Sequence, residues 1–263
     1  PDLRELFMTD ERLFDEGAQA LEQGDYRKAI DCFEKLLQEN TSTEAILALV
    51  EAYLETGAHK KAYQCLKNGL EQQPLDVDLL YALADYYFED GRQDEALATY
   101  QQIIDLDPEE AEAHVCKAMV LLSLNDVEGA VALCQAALKI QPDQSFALNA
   151  LGDIYAQQGH FDAAIDLYRQ AAELDPEDSQ PLLNLADALY EEGKLDEAEK
   201  CCQKGLELDP GVAMGYFILG SISLDQERTD EAIEHFEQFL RLEKSPSAKD
   251  LRAEVVAVLD GLK

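Results

Sequence analysis

The chain has 263 residues, of which 47% are hydrophobic, and its 55 acidic residues stand against 21 lysines and arginines, a formal net charge of −34. This length exceeds one ordinary domain, and the hydrophobic share is enough to bury a sizeable core, so a globular protein is expected. So large a negative charge repels phosphate backbones and anionic lipid headgroups, which excludes nucleic acid and membrane surfaces as expected partners.

The sequence also lacks the signals of membrane insertion and secretion. No apolar run approaches the roughly 18 residues that span a bilayer, and the start PDLRELFMTD has no basic segment followed by an apolar one. The chain does not begin with Met, which leaves a trimmed start and an upstream targeting segment open. Six cysteines without C-x-x-C spacing are interpreted as free thiols in a reduced, cytoplasmic protein: Cys32, Cys65, Cys116, Cys134, Cys201 and Cys202.

An internal repeat follows a short N-terminal extension, residues 1–9. Prolines recur every 34 residues, at Pro74, Pro108, Pro142, Pro176 and Pro210. Turn residues keep the same period, at Gly24, Gly57, Gly91, Asn125, Gly159 and Gly193. An alanine stands five residues beyond each turn, at Ala29, Ala62, Ala96, Ala130, Ala164, Ala198 and Ala232. These marks predict seven copies, at residues 10–42, 43–76, 77–110, 111–144, 145–178, 179–212 and 213–244.

Each copy is predicted to be two helices joined by a turn. Apolar residues recur at spacings of three and four on both sides of the turn, as in Leu148, Leu151 and Tyr155 before it. Asp or Glu opens the second helix, where the positive end of the helix dipole favours it, and the closing proline ends the copy. The repeated alanine indicates close approach of the two helices, because a larger side chain would push them apart.

The tail, residues 245–263, has no turn glycine and is predicted to form one further helix. Ser247 is the expected N-cap, and one face is apolar, with Leu251, Val255, Val258, Leu259 and Leu262. We expect this helix to cap the apolar edge of the seventh copy, formed by residues such as Ile233, Phe236 and Leu240. The alternative is that the tail docks on a partner or a second subunit.

The repeat resembles the tetratricopeptide repeat family, whose 34-residue unit has small residues in both helices, a glycine turn and a closing proline. The small position of the first helix is filled by Gly17, Ala84, Ala118, Gly152, Ala186 and Gly220, with Val50 as the exception. The resemblance covers about residues 10–244 and departs from the family at Thr41 and Lys244, where proline is expected. It implies an all-α fold, an α-solenoid that winds as a right-handed superhelix with the first helices on its concave face.

The resemblance places six positions of each copy in this groove: the second, fifth, sixth, ninth, twelfth and thirteenth. Of these 42 positions, 14 are acidic and none is Lys or Arg, whereas the chain-wide composition predicts about nine acids and about three bases. The candidate peptide-binding residues, acidic, amide and apolar, are Phe14, Asp15, Leu47, Glu51, Tyr81, Asp85, Val115, Asn149, Asp153, Leu183, Asn184, Asp187 and Phe217. The alternative is that the excess has no role in binding, because a strongly acidic protein has acidic residues on any exposed face.

Two binding modes of the family are not matched. A clamp for a C-terminal carboxylate needs Lys or Arg beside Asn, and here only Asn149 and Asn184 are of a suitable type. An asparagine ladder needs Asn at the sixth position throughout, where only Asn184 occurs.

Nothing in the sequence indicates catalysis. The histidines His59, His114, His160 and His235 lie in different copies, no glycine loop has the phosphate-binding pattern, and no acidic stretch has the spacing of a calcium loop. We expect no enzyme, metal or cofactor. The preferred hypothesis is a scaffold whose groove binds a Lys/Arg-bearing or amphipathic protein segment; the alternative is an assembly module that mediates self-association or links domains of a larger protein.

Overall fold

The computed structural model of the protein describes residues 3–39 and 41–262, with side chains for residues 10–38 and 41–262. Within these residues the regular structure is entirely helical. The chain divides into two compact units, Pro1–Leu124 and Asn125–Lys263. Unit 1 contains α1 (Leu3–Glu22), α2 (Tyr26–Glu39), α3 (Thr43–Glu55), α4 (His59–Gln72), α5 (Val77–Glu89), α6 (Gln93–Leu106) and α7 (Ala111–Ser123). Unit 2 contains α8 (Val127–Ile140), α9 (Ser145–Gln157), α10 (Phe161–Leu174), α11 (Gln180–Glu191), α12 (Leu195–Leu208), α13 (Ala213–Asp225), α14 (Thr229–Leu242) and α15 (Lys249–Leu262).

Most first helices begin at the first residue of the predicted copy. Helices α3, α5, α7, α9 and α13 start at the first residue of their copies, and α11 starts one residue later. Asp76 shows why the start is sharp, since its carboxylate accepts a hydrogen bond from the backbone N–H of Leu79 at 3.0 Å. Helix α1 differs, because it begins at Leu3 and includes most of the residues counted as an extension.

The turns inside the hairpins need a left-handed backbone. Gly91 has φ 74°, and Asn125 takes over this role with φ 63°, as the sequence predicts, because asparagine tolerates this region. The seventh copy has no glycine here, and Glu227 adopts φ 60° instead. A glutamate side chain makes this conformation unfavourable, so the last turn is the strained member of the series.

Within each unit, the two helices of a hairpin approach closely at the small residues. The alanine of the second helix is fully buried in all seven copies, as predicted. In the first helix of the fifth copy, a Cβ added to Gly152 would lie 2.5 Å from Cε1 of Tyr168. The equivalent Cβ at Gly220 would lie 2.6 Å from the ring of Phe236. Glycine is therefore required where a large ring of the second helix lies across the first.

Successive hairpins stack within each unit. In unit 1, α1, α3 and α5 contact one another in turn, and one apolar core runs through the stack, including Phe33, Leu66, Leu79 and Ile103. In unit 2, α9, α11 and α13 likewise contact one another in turn, and the apolar core of this stack includes Ile165, Leu189 and Ile222. Each unit therefore presents a row of first helices, here called its first-helix face.

Helix α15 packs against α14. Val255 and Leu259 are buried beside Phe236 and Phe239, and Leu251, Val258 and Leu262 complete the contact. The segment before α15 differs from the predicted capping by Ser247: the hydroxyl of Ser245 accepts the hydrogen bond from the backbone N–H of Ala248, at 3.3 Å. The Ser247 hydroxyl instead lies 3.1 Å from the Ser245 hydroxyl, and the two are hydrogen-bonded to each other.

Candidate functional site

The first-helix face of unit 1 contains two adjoining depressions. The larger, of about 510 Å³, lies among α3, α5 and α7, and the smaller, of about 250 Å³, lies between α3 and α5. Leu47, Ala82 and Asp85 line both. The two depressions therefore form one continuous surface, here called the acidic face.

Acidic side chains dominate the polar lining of the acidic face. Asp78, Glu110 and Glu112 line the larger depression, and Glu51, Glu55 and Glu89 line the smaller one. Among the residues whose side chains the structure describes, no Lys, Arg or His lines either depression. The apolar part includes Tyr81 and Val77 in the larger and Val50, Leu54 and Tyr86 in the smaller. The surface is thus apolar at its floor and anionic around it.

The carboxyl groups on this face lie close to protein atoms and to one another. Although the side chain of Asp85 reaches solvent, burial of its carboxyl group raises its pKa, while the hydrogen bond from the Tyr100 hydroxyl acts in the opposite direction. Burial also raises the pKa of Glu112, and the charges of Glu110 and Asp85 raise it further. Burial is thus the main cause of both shifts, and for Glu112 the neighbouring carboxylates add to it.

The Cys116 thiol in the larger depression is not a nucleophile. Burial, followed by the charges of Asp85 and Glu112, raises the pKa of Cys116 to about 12. The thiol is therefore protonated at neutral pH, and the thiolate is the reactive form. Among the described residues, no group of three His, Cys, Asp or Glu side chains has an arrangement that holds a metal ion.

The first-helix face of unit 2 is organised differently, around a hydrogen-bonded network. Nδ2 of Asn184 donates to Oδ1 of Asn149 at 3.1 Å and to Oδ1 of Asp153 at 2.9 Å. The Tyr168 hydroxyl donates to the same oxygen of Asp153 at 2.7 Å, and Nε2 of Gln180 donates to Oδ1 of Asn184 at 2.7 Å. The network ties α9, α10 and α11 together, so these amides are engaged with protein groups.

Two further carboxylates lie beyond this network. Asp187 is exposed, yet burial of its carboxyl group raises its pKa, with a further contribution from the charge of Glu191. On the neighbouring helix Asp225 accepts a hydrogen bond from the Tyr190 hydroxyl at 3.0 Å.

Several apolar side chains expected on the surface are instead in the core, and the expectation of exposure is wrong for them. Leu183 is 2% exposed, because Gly205 and Gly215 leave room for its side chain between α12 and α13. Val115 is fully buried. Asn149 is also buried, within the network described above.

The two phenylalanines are partly buried and pack on their own hairpins. The ring of Phe14 meets that of Phe33 edge to face, with centroids 5.7 Å apart. The ring of Phe217 lies 5.6 Å from that of Phe239 on α14. Of the apolar candidates, Leu47 and Tyr81 are the two that line the acidic face. The acidic candidate Asp15 is exposed on α1.

Sequence reasoning missed some of the residues that shape these faces. Glu110 precedes α7 in a loop and so lies outside the six groove positions. The hydroxyls of Tyr100 and Tyr168 reach the faces from second helices, and the signal was present: both tyrosines occur in copies with Asp at the ninth position. Phe146 and Met214 are 46% and 47% exposed at the second position of their copies.

Paired helices that stack on one another, with their first helices in a row, define the class of helical-repeat solenoids. Family models of the tetratricopeptide repeat match residues 20–86, 81–145, 149–213 and 215–246. The chain belongs to the tetratricopeptide repeat family. A search of curated protein sequences finds no match.

Solved structures support the fold. A tetratricopeptide repeat protein from Parabacteroides merdae has a TM-score of 0.71 and 18% identity, over 96% of this chain and 99% of its own. Pseudomonas aeruginosa pilF has a TM-score of 0.61 and 21% identity, over 80% and 96%. Yeast Tom70 has a TM-score of 0.70 and 19% identity over 96% of this chain, which spans 59% of Tom70. At these identities the likeness shows the fold alone.

The tetratricopeptide fold is a scaffold for protein interaction, and its partners are proteins. No helix among the described residues is both long enough and apolar enough to cross a membrane.

Proposed function

We propose that the protein is a non-catalytic scaffold and that the acidic face of unit 1 binds a Lys/Arg-bearing, amphipathic segment of another protein. The observation that carries this proposal is the pair of joined depressions, which are anionic around an apolar floor and have no basic side chain among their described lining residues. A ligand with alternating cationic and apolar side chains satisfies both parts of this surface.

The electrostatics favour a cation in particular. The raised pKa values of Asp85 and Glu112 mean that their charged forms are disfavoured in the unbound protein. A lysine or arginine placed beside them would lower both pKa values again, so part of the binding free energy would come from compensating charges that the fold leaves unpaired. An anionic segment would raise both pKa values further and would be repelled.

The apolar floor would supply the remaining contacts. Leu47 and Tyr81 offer aliphatic and aromatic surface next to the acids, and Tyr81 lies edge to face against Tyr100, with centroids 6.3 Å apart. A ring held in this way keeps its orientation when a ligand binds, which limits the conformational entropy that the protein loses.

The test is charge reversal on the acidic face with a matched control. Asp78→Lys and Glu112→Lys change exposed acids that make no hydrogen bond in the described part of the chain. Asp31→Lys and Glu71→Lys make the same change of net charge on the second helices α2 and α4. The probe is a short synthetic peptide of alternating lysine and leucine, and its affinity is measured by calorimetry on the full chain.

We expect the first pair of substitutions to abolish peptide binding and the second pair to weaken it only slightly. Affinity should also fall as salt shortens the Debye length from about 10 Å at 0.1 M to about 3 Å at 1 M. Equal losses in both pairs, or an affinity indifferent to salt, would refute a specific acidic site.

A second candidate function is self-association through unit 2. Its specific support is the pair of exposed apolar side chains Phe146 and Met214, which occupy the position that is acidic in the first four copies. If this reading is right, Phe146→Ser with Met214→Ser should shift the sedimentation of the protein towards the monomer and leave peptide binding unchanged. A wild type that is monomeric at all concentrations would reject it.

The remaining parts of the proposal concern chemistry and setting. We infer no catalytic activity, cofactor or metal requirement, and a reducing, cytoplasmic environment. The last inference is based on the cysteines, of which Cys32, Cys134 and Cys202 are buried as small apolar residues. Burial raises the pKa of Cys134 and Cys202 to about 12, so neither thiol is activated.

A further inference from the structure

Unit 1 contains a cavity that is separate from the acidic face. It lies between the second helices α2 and α4, with α3 as its floor, and has a volume of about 350 Å³. Leu37, Ile46, Leu49 and Cys65 form its apolar wall together with the Tyr53 ring. Ligand pockets in proteins begin at about 300 Å³ and are mainly apolar with a few polar groups, so both size and lining are those of a small-molecule site.

Two small residues of α4, Cys65 and Gly69, line the cavity. Gly69 occupies the repeat position at which the next hairpin has the fully buried Ile103, and Cys65 stands where that hairpin has Thr99. A Cβ at Gly69 would lie 3.0 Å from Cδ1 of Ile46. The same Cβ would lie 3.0 Å from Cδ1 of Leu79, so α4 packs closely on α3 and α5 at Gly69.

One edge of the cavity is charged but internally neutralised. The Tyr53 hydroxyl donates to the Glu34 carboxylate, Nζ of Lys61 lies 3.6 Å from the same carboxylate, and this ammonium group sits 5.1 Å from the Tyr53 ring centroid. Because the Glu34 carboxylate and the Lys61 ammonium group are already paired, this edge does not favour a charged ligand.

The other edge offers hydrogen-bond donors. The Thr41 hydroxyl donates to Oε1 of Gln72 at 2.7 Å, and Nε2 of Gln64 donates to Oδ1 of Asn68 at 2.8 Å. These bonds fix the amide oxygens of Gln72 and Asn68. Their amide nitrogens, one helical turn apart on α4, donate no hydrogen bond within the part of the chain that the structure describes.

We propose that this cavity binds an uncharged, aromatic small molecule that carries a carbonyl oxygen. The ring would occupy the space beside Leu37, Leu49 and Cys65, and the carbonyl oxygen would accept a hydrogen bond from the amide nitrogen of Asn68. Binding is non-covalent, since burial, with a smaller contribution from the charge of Glu34, raises the pKa of Cys65 to about 11 and keeps its thiol protonated.

The probes are acetophenone and ethylbenzene, which have nearly the same shape and differ in the carbonyl oxygen. Binding to the full chain is followed by the backbone amide signals in two-dimensional NMR. Acetophenone should move signals from α2, α3 and α4, and ethylbenzene should bind at the same place about three- to tenfold more weakly, the effect of one neutral hydrogen bond.

Three variants locate the site. Cys65→Leu adds volume inside the cavity and should abolish both titrations, whereas Cys201→Leu, the same change on α12 of unit 2, should leave them intact. Asn68→Ala removes a donor from an exposed residue and should reduce acetophenone to the affinity of ethylbenzene without changing ethylbenzene. If Cys65→Leu does not fold, the comparison of the two probes in Asn68→Ala still tests the proposal. Signals that do not move in α2–α4, or shifts that persist in Cys65→Leu, would overturn the proposal.

Discussion

Alanine in place of Gly152 should destabilise the fifth hairpin because it forces a methyl group against a ring that cannot move away. The new Cβ would lie 2.5 Å from Cε1 and 2.8 Å from Cδ1 of Tyr168. Tyr168 is 2% exposed, and its hydroxyl is held by Oδ1 of Asp153 at 2.7 Å. Any rotation that relieves the clash therefore stretches this bond as well.

The magnitude follows from three contributions. Overpacking a well-filled site costs about 1–3 kcal/mol. Loss of a hydrogen bond to a charged group costs about 1.5–3 kcal/mol. Replacing glycine inside a helix returns about 1 kcal/mol through backbone entropy. The net expectation for Gly152→Ala is a loss of about 3 kcal/mol in the free energy of unfolding, measured by urea denaturation.

Gly220→Ala provides the matched control. Its Cβ would lie 2.6 Å from the ring of Phe236, which has no hydroxyl to anchor it. The hydrogen-bond contribution is then absent, and the expected loss is about 1 kcal/mol. Gly152→Ala in a Tyr168→Phe background should likewise cost only about 1 kcal/mol. If Gly152→Ala costs no more than Gly220→Ala, the anchored-ring argument is wrong.

Three further predictions concern stability. Glu227→Gly should raise the free energy of unfolding by about 0.5–1 kcal/mol, because relief of the left-handed backbone at φ 60° exceeds the entropy that glycine loses on folding; an unchanged urea midpoint would contradict this. The raised pKa of Asp187 means that its charged form is disfavoured in the folded state, so stability is lost as pH rises through that pKa. Asp187→Asn should therefore be more stable than the wild type at pH 7 and converge with it below about pH 4, the unfolded value, and a difference that does not vary with pH would refute the linkage. Deletion after Lys244 exposes Phe236 and Phe239 and should cause aggregation or fraying of α14, seen by light scattering and hydrogen exchange; a truncated protein that is equally stable and monomeric would favour a docking role for α15.

The periodic features of the fold could be predicted because each copy has the same packing problem. The buried alanine, the left-handed turn at Asn125 and the helix starts at Thr43 and Val77 all follow from local geometry that repeats every 34 residues. The start of α1 at Leu3 could not be read in this way, since the repeat pattern is recognisable only from Asp10 onwards.

The composition of the faces was less predictable. Position in the repeat tells which way a side chain leaves its helix, but not whether the neighbours cover it. Leu183 is buried because two glycines on other helices make room for it. Asp153 is held by Tyr168 from the second helix and by Asn184 from the next copy. Such contacts depend on pairs of copies, and a pattern counted within one copy does not contain them.

The distribution of acids separates a binding role from a general bias towards solubility. Copies one to four contain 28 acids among 135 residues and copies five to seven contain 22 among 100, about a fifth in both. At the groove positions, however, ten of the 14 acids fall in the 24 positions of the first four copies and four in the 18 positions of the last three. A solubility bias would enrich both sets alike. Seven of the ten lie on α3, α5 and α7, which line the acidic face, and the other three lie on α1. This distribution supports a cationic ligand on the first helices of unit 1 and a less charged surface around Phe146 and Met214.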